Sequence, residues 1–435
     1  MTTPTEEELK SALAELRAQN PTLGVPKLHA QLLAGHPEWT VSEKRTRKFL
    51  QAGGLVLDPQ TTKTTVSGQS STVLIPASKI IQGLDVAKWS TKIEVKYFNR
   101  MKGKGLVAVG KISQGDTIWK EDPFILAPEW EIYELQVLSG ACGYCSTPLH
   151  NLSNPALTLR CDSPAQTPSC SIRFCNRLCL SRSKKTHPLL CPAQNPASVP
   201  LLRFAQANQW QALHALAQCT ARLLLSEQRD EKELLDDRNI VNGLAQLGME
   251  ERAKGGWLGS SEPDRATWKK AFDLYLQAFK EPLQDGERKK LNKLLKKPTR
   301  KALADELFEY SAFLRGLGRM NLNLESHGGL YVLHSHVNHS CAPNVSVRHL
   351  DQRSALSKIT MVALRDIEPG EELFITYTNP KLPLETRRQH LLEWGFGTCH
   401  CPRCQVEEKD PHRAVPEKAV PDDLEAELKA GLGVM

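Results

Sequence analysis

The sequence predicts an α+β protein: a β-rich fold interrupted first by a cysteine-rich insert and then by a helical insert, with a helical module ahead of it. Three observations predict this. Strand-like runs bounded by turn-formers lie near residues 93–119 and return between Gly328 and Tyr377. Helical periodicity dominates residues 200–318 between them. Eleven of the twelve cysteines fall into two groups, Cys142 to Cys191 and Cys341 to Cys404.

Composition bounds the function. A chain of 435 residues has room for two or three domains, and 40% hydrophobic with 24% charged residues is a globular balance. No apolar run approaches the length that spans a bilayer, so no membrane partner is expected. Met1–Glu8 lacks the basic end and apolar core of a secretory signal, which points to an intracellular location. The net charge of +7 permits nucleic-acid contact without requiring it. In a reducing compartment clustered cysteines read as metal ligands rather than disulfides. Cys219, alone in a helical pattern, reads as a small buried apolar residue.

Taken in order, residues 1–57 form a helical module. Thr5 and Glu8 make a capping box ahead of Leu9, Leu13 and Leu16, and Asn20-Pro21 ends the helix. A second helix carries Leu28, Leu32 and Leu33 and closes at Gly35 and Pro37. A third begins at Ser42 and bears Lys44, Arg45, Arg47 and Lys48. Three short helices with a basic last one look like a helix-turn-helix that could touch DNA; the commoner reading of such a unit, which lacks a fingerprint here, is a small bundle with a solvated basic face. Residues 58–88, rich in Thr, Ser, Gln and Gly, read as a linker. Lys102-Gly103-Lys104-Gly105 leads into Leu106–Val109, and Ser113–Asp116 turns the chain into Thr117–Trp119, which together predict a hairpin. Trp268, Phe272, Tyr275 and Phe279 make one apolar helical stripe; Leu303, Leu307, Tyr310, Leu314 and Leu317 make another. The basic stretch Arg288–Lys301 between them reads as a solvated face or a phosphate-binding surface. Ile359–Ala363 and Leu373–Tyr377 are strands around the turn Glu368-Pro369-Gly370-Glu371, and residues 411–435 read as a flexible tail.

The chemistry lies in the cysteines and in one polar run. Cys142, Cys145, Cys161, Cys170, Cys175, Cys179, His187 and Cys191 are enough for two tetrahedral zinc sites. Their segment has no long apolar run, so metal would supply the missing folding free energy, roughly 10 kcal/mol or more per site. Cys399, Cys401 and Cys404 form a C-x-C-x2-C trio, with Cys341 as a fourth ligand. Four thiolates leave no open position, so that zinc would be structural. Cys341 also belongs to the run Asn338-His339-Ser340-Cys341-Ala342-Pro343-Asn344, which is followed by Ile375-Thr376-Tyr377.

Polar run, strand tyrosine and cysteine trio, in this order, resemble the active-site half of a SET domain with its post-SET zinc site. With the cysteine-rich and helical inserts, the chain resembles the SET-and-MYND family of split-SET lysine methyltransferases, and within it the fungal SET5 group of histone-lysine methyltransferases. The resemblance covers residues 90 to 410, and residues 1–57 more weakly. It implies a β-rich SET fold with a knot-like active site at 89–379, a MYND-like zinc insert at 139–193, a helical insert at 194–318, and a post-SET zinc segment at 380–410. It also implies that the helical-repeat domain found at the end of many animal members is absent. By analogy with the interleaved MYND pattern, Cys142, Cys145, Cys175 and Cys179 would hold one zinc. Cys161, Cys170, His187 and Cys191 would hold the other, although eight residues separate Cys161 from Cys170 where that pattern has two.

The resemblance further implies S-adenosylmethionine as cofactor. Tyr377 matches the active-site tyrosine. Lys102, Gly103, Lys104, Asn338 and His339 match cofactor-binding segments, and Phe396 matches an aromatic that packs on the adenine. Ile375 stands where other members carry the Phe or Tyr that tunes how many methyl groups are added. The leading expectation is transfer to a histone, the H4 tail on a nucleosome, by a monomer in the nucleus and also the cytoplasm. Two alternatives remain: a ribosomal or translation protein as substrate, or an inert SET fold serving as a chromatin adaptor.

Overall fold

The computed structural model describes residues 4–19, 25–52, 75–150, 157–163, 169–258, 262–350, 356–392, 394–395 and 397–410. It divides into two units, Met1–Thr72 and Val73–Met435.

The first unit holds α1 (Glu6–Gln19), α2 (Val25–Gly35) and α3 (Glu43–Ala52). The capping box forms: Thr5 N–H donates to Glu8 Oε2 at 2.8 Å, and Glu8 N–H donates to Thr5 Oγ1 at 3.3 Å. Ser42 caps α3 by accepting from Arg45 N–H at 3.2 Å. Leu9, Leu13, Leu28, Leu32, Val41 and Leu50 are the shared core. Of the four basic residues on α3, Lys44, Arg47 and Lys48 are exposed. Arg45 instead donates to the Pro4 carbonyl at 3.2 Å. The Asn20-Pro21 stop lies outside the described residues.

In the second unit the expected linker is shorter than residue 88. Ala77 exchanges backbone hydrogen bonds with Gln246 at 2.9 and 2.8 Å, and Ile81 is buried in the helical core. The polar composition of this stretch hid a few residues that dock by backbone pairing. The strands are β1 (Ile93–Asn99), β2 (Gly103–Ala108), β3 (Thr117–Glu121), β4 (Ile125–Leu126), β5 (Leu159–Arg160), β6 (Arg173–Phe174), β7 (Gly329–Leu330), β8 (Asn338–His339), β9 (Val345–Arg348), β10 (Ile359–Ala363) and β11 (Phe374–Ile375). The hairpin is not the one expected. β2 pairs with β1, while β3 pairs with β10 in the sheet β3-β10-β9. Asn99 makes the turn, its Oδ1 accepting from the N–H groups of Met101 and Lys102, both at 2.9 Å. β4 pairs with β7, and β8 runs parallel to β11. The β3-β10-β9 and β4-β7 sheets therefore join strands from the two sides of the inserts, whereas β8 and β11 both follow them.

The cysteine-rich insert follows α4 (Trp130–Val137) and contains the β5–β6 pair, α5 (Arg177–Ser183) and α6 (His187–Leu190). The helical insert runs through α7 (Val199–Ala207), α8 (Gln211–Arg229), α9 (Glu231–Gly243), α10 (Met249–Lys254), α11 (Arg265–Phe279), α12 (Asp285–Leu294), α13 (Lys301–Phe308) and α14 (Tyr310–Asn323). Trp268, Phe272, Tyr275 and Phe279 are buried along α11. The second stripe is split between α13 and α14, because Glu309 is extended at ψ 137° and breaks the helix. The basic stretch is mostly exposed, with Arg300 paired to Glu227 and Glu231. After β11 come α15 (Leu384–Leu392) and α16 (Pro402–Lys409). Among the described residues no helix is long and apolar enough to cross a membrane. The expected tail, 411–435, lies outside the described residues.

Candidate active site and metal centres

Parallel pairing sets Phe374 opposite Asn338 and Ile375 opposite His339. Asn344 bolts this arrangement: its Oδ1 accepts from Phe374 N–H at 2.7 Å and its Nδ2 donates to the Glu372 carbonyl at 2.8 Å. Tyr377 follows two residues after β11, and its N–H donates to His339 Nδ1 at 3.0 Å. That contact fixes the tautomer, leaving Nε2–H to reach Cys341 Sγ at 3.3 Å. Burial keeps His339 neutral, pulling its pKa down to about 4. The Tyr377 hydroxyl donates to the Val337 carbonyl at 2.6 Å, and burial holds its pKa above the ordinary phenol value. Its ring lies 5.0 Å from Trp394 and 5.3 Å from His339.

The two lysines flanking Gly103 play different parts. Lys102 pairs with Glu372 and lies 4.3 Å from the Phe98 ring. Lys104 is buried, donating to the Gly243 carbonyl at 2.9 Å and Ser335 Oγ at 3.4 Å. Burial pulls its pKa down to about 7. Gly103 takes φ +72°, where a side chain would be strained. Asn338 Nδ2 donates to the Lys104 carbonyl at 3.0 Å and to Glu372 Oε1 at 2.8 Å. A Cβ at Gly105 would fall 2.9 Å from that same Nδ2, so glycine is what lets Asn338 approach β2.

Two clefts meet here. One is lined by Lys102, Lys104, Ser335, Val337 and Asn338. The other, ≈ 660 Å³, is lined by Trp210, Val345–Val347 and Ile375–Lys381. Leu324, Glu325, Tyr377 and Trp394 line both and form the partition. Glu325 Oε1 lies 2.9 Å from His334 Nε2. The structure thus gathers Lys102, Lys104, Asn338 and Tyr377 around one cleft, with Gly103 at its edge strand and His339 behind Tyr377. Phe396 lies outside the described residues. Sequence reasoning missed Trp394, Glu372 and Glu325. The aromatic-glycine run Trp394-Gly395-Phe396-Gly397 pointed to Trp394 as well as Phe396. Glu372 read as part of a turn, and nothing local distinguished Glu325.

The thiols assemble as three groups of four whose ligand atoms lie within 4.8 Å of one another. They are Cys142, Cys145, Cys175 and Cys179; Cys161, Cys170, His187 and Cys191; and Cys341, Cys399, Cys401 and Cys404. The spacing fits zinc. A tetrahedral ion with Zn–S of 2.3 Å separates its sulfurs by about 3.8 Å, whereas a disulfide needs about 2.05 Å. Cys145–Cys175 is 3.6 Å, Cys175–Cys179 3.4 Å, Cys161–Cys191 3.8 Å and Cys341–Cys404 3.5 Å. The eight-residue gap after Cys161 is no obstacle: the β5–β6 pair brings the two flanks together, with Cys161 N–H bonded to the Ile172 carbonyl at 3.2 Å. Donors offset the thiolate charge. Cys175 N–H points at Cys142 Sγ at 3.3 Å, and Arg387 Nη2 at Cys404 Sγ at 3.8 Å. Arg403 ties the last group to the active site by donating to the carbonyls of Cys341 at 3.0 Å and Pro380 at 2.9 Å.

Comparison with known proteins gives the family. The SET domain model matches residues 103–378. The histone-lysine N-methyltransferase SET5 of Mycosarcoma maydis is 30% identical over 392 residues, covering 78% of this chain and 77% of the relative. The protein of that name in Yarrowia lipolytica is 30% identical over 424 residues, covering 94% and 84%. A crystal structure of the SET domain of LSMT bound to lysine and AdoHcy overlays with a TM-score of 0.33 at 13% identity, over 71% of this chain and 53% of that one; nothing further rests on it. This chain belongs to the SET-domain family, with fungal SET5 histone-lysine N-methyltransferases among its relatives.

Proposed function

We propose that this protein is an S-adenosylmethionine-dependent protein-lysine N-methyltransferase acting in the nucleus on a histone, the H4 tail in particular. The observation that carries the reading is the Tyr377–Trp394 partition between two clefts, one suited to a cofactor and one to a peptide. The first cleft fits the cofactor by its donors, the Lys102 cation for a carboxylate and the Asn338 segment, which the lack of a side chain at Gly105 lets approach β2. S-adenosylmethionine, when bound, supplies a methyl group on an electrophilic sulfonium. The substrate lysine must arrive neutral, yet its ordinary pKa is about 10.4. A passage walled by Leu324, Tyr377 and Trp394 disfavours the ammonium form, the Glu325 carboxylate that also lines both clefts being engaged by His334 at 2.9 Å. Tyr377, with its hydroxyl proton committed to the Val337 carbonyl, presents an oxygen lone pair to the passage and helps align the amine. The 338–344 and 374–378 segments are the knot-like part of this site. The three thiol groups hold zinc, two ions in the MYND-like insert and one in the post-SET segment.

The test is radiolabel transfer from S-adenosylmethionine to core histones and, separately, to a histone-depleted lysate, beside Tyr377→Phe. Label on H4 that falls at least about a hundredfold in the variant, with cofactor binding retained, is the expected result. Label only in the depleted lysate replaces the substrate. No transfer by a protein that binds cofactor identifies an adaptor.

A further inference from the structure

We propose that a cavity in the helical insert, separate from both clefts, binds a small organic oxyanion carrying a short apolar chain. Arg238, Arg315 and Arg319 line it over Leu223, Val241 and Leu307, and it encloses ≈ 220 Å³. It shares no lining residue with either cleft.

The charge within it is unbalanced. Glu306 is the sole acid among the lining residues, and Arg238 already holds it through two hydrogen bonds, one of them Nε to Oε2 at 3.1 Å. Arg315 and Arg319 are left over. Arg319 spends one N–H on Gln246 Oε1, while its Nε is sealed from solvent with no hydrogen-bond partner. A buried guanidinium N–H without an acceptor is costly, and the planar guanidinium groups of Arg315 and Arg319 at the cavity wall are the chemistry that matches a carboxylate or phosphate. Burial chiefly pulls Arg319 below the ordinary arginine value, and neighbouring Arg315 adds to this against the opposing pull of Glu306.

The apolar half comes from the floor. A second hollow of ≈ 40 Å³ shares Leu223, Val241, Leu307, Ala312, Glu306 and Arg319 with the first and continues past them to Cys219, Tyr275, Phe313 and Met320. An acid headgroup on the arginines would therefore point its chain into hydrocarbon. The site also adjoins the first cleft. Asn323 Nδ2 bridges the Arg319 carbonyl at 2.7 Å and the Ala245 carbonyl at 2.8 Å, and both Asn323 and Ala245 line that cleft. The assignment does not depend on the methyltransferase reading.

The test is calorimetric titration of the full zinc-loaded chain with hexyl phosphate, using inorganic phosphate and 1-hexanol as controls. Hexyl phosphate is expected to bind, with inorganic phosphate at least tenfold weaker and hexanol without saturation. Arg315→Gln, at an exposed position, is expected to weaken binding at least tenfold while leaving the thermal melt unchanged; Arg319→Gln should weaken it further. No heat at millimolar hexyl phosphate, or equal binding by both variants, overturns the site. Equal affinity for inorganic phosphate overturns the apolar half of the assignment.

Discussion

Lys104 changes its chemistry more on folding than a surface lysine would. The fold buries it against the Gly243 carbonyl and pulls its pKa from 10.5 to about 7. Between those values the unfolded chain binds a proton that the folded one does not. Stability therefore rises with pH from about 7 to about 10.5 and is flat below 7, where both states are charged and the burial cost is fully felt. Lys104→Met removes the charge and keeps the length. Its denaturant midpoint is expected to exceed the wild type's most at pH 6.5 and least near pH 10; a gap independent of pH would show that Lys104 stays charged throughout. Asn338 gives a second prediction at this scale. Asn338→Ala leaves the Glu372 carboxylate with Lys102 alone and withdraws the donor to the Lys104 carbonyl. Cofactor affinity measured by titration should fall about tenfold, the ~1.4 kcal/mol of one lost hydrogen bond to a charged group.

At the scale of elements, α14 links the inserts to the site, because its end and the residues after it, Leu322–Glu325, line the clefts. It packs closely where it lacks a side chain: a Cβ at Gly318 would fall 1.9 Å from the Leu247 carbonyl oxygen. Helix propensity alone makes Gly318→Ala a gain of about 1 kcal/mol. The obstruction is backbone, which cannot rotate away, so overpacking wins and the variant should lose about 1–3 kcal/mol by urea unfolding. At Gly316 the obstacle is the Leu216 side chain at 2.8 Å, which can move, and Gly316→Ala should cost less. The same elements show where sequence patterns stop. The apolar period ran from Leu303 to Leu317 without a break, because both α13 and α14 bury that side. Only Glu309, extended between them, divides the stripe.

At the scale of the whole molecule, the described residues contain three groups of four side chains that could each hold a metal ion. Metal analysis of the purified protein should find three zinc ions per chain. Cys341→Ser should leave two. Because Cys341 lies two residues from His339, and Arg403 and Arg387 anchor the last segment around it, this variant should also expose α15 and α16 to hydrogen exchange and abolish transfer. Cys170→Ser should likewise leave two zinc ions, with exchange rising in the β5–β6 pair and transfer largely kept. Zinc binding contributes roughly 10 kcal/mol or more per structural site, so a chelator should unfold the cysteine-rich insert and the α15–α16 segment before the sheets and the helical insert.

Local signals in the sequence determined much of this protein. The Thr5–Glu8 box, the α11 stripe, the membership of all three thiol groups and the Asn338–Tyr377 constellation were legible because each depends on residue types at short spacing or on a recognisable order of parts. The tertiary structure alone decided which strands pair, that residues 75–88 dock instead of linking, that Lys104 is buried while Lys102 reaches Glu372, and that Trp394 and Glu325 stand in the wall between the clefts. Those outcomes join residues tens to hundreds of positions apart, 270 in the case of Lys102 and Glu372. They are set by which surfaces can be buried together, a property of the packed chain that no window of neighbouring residues contains.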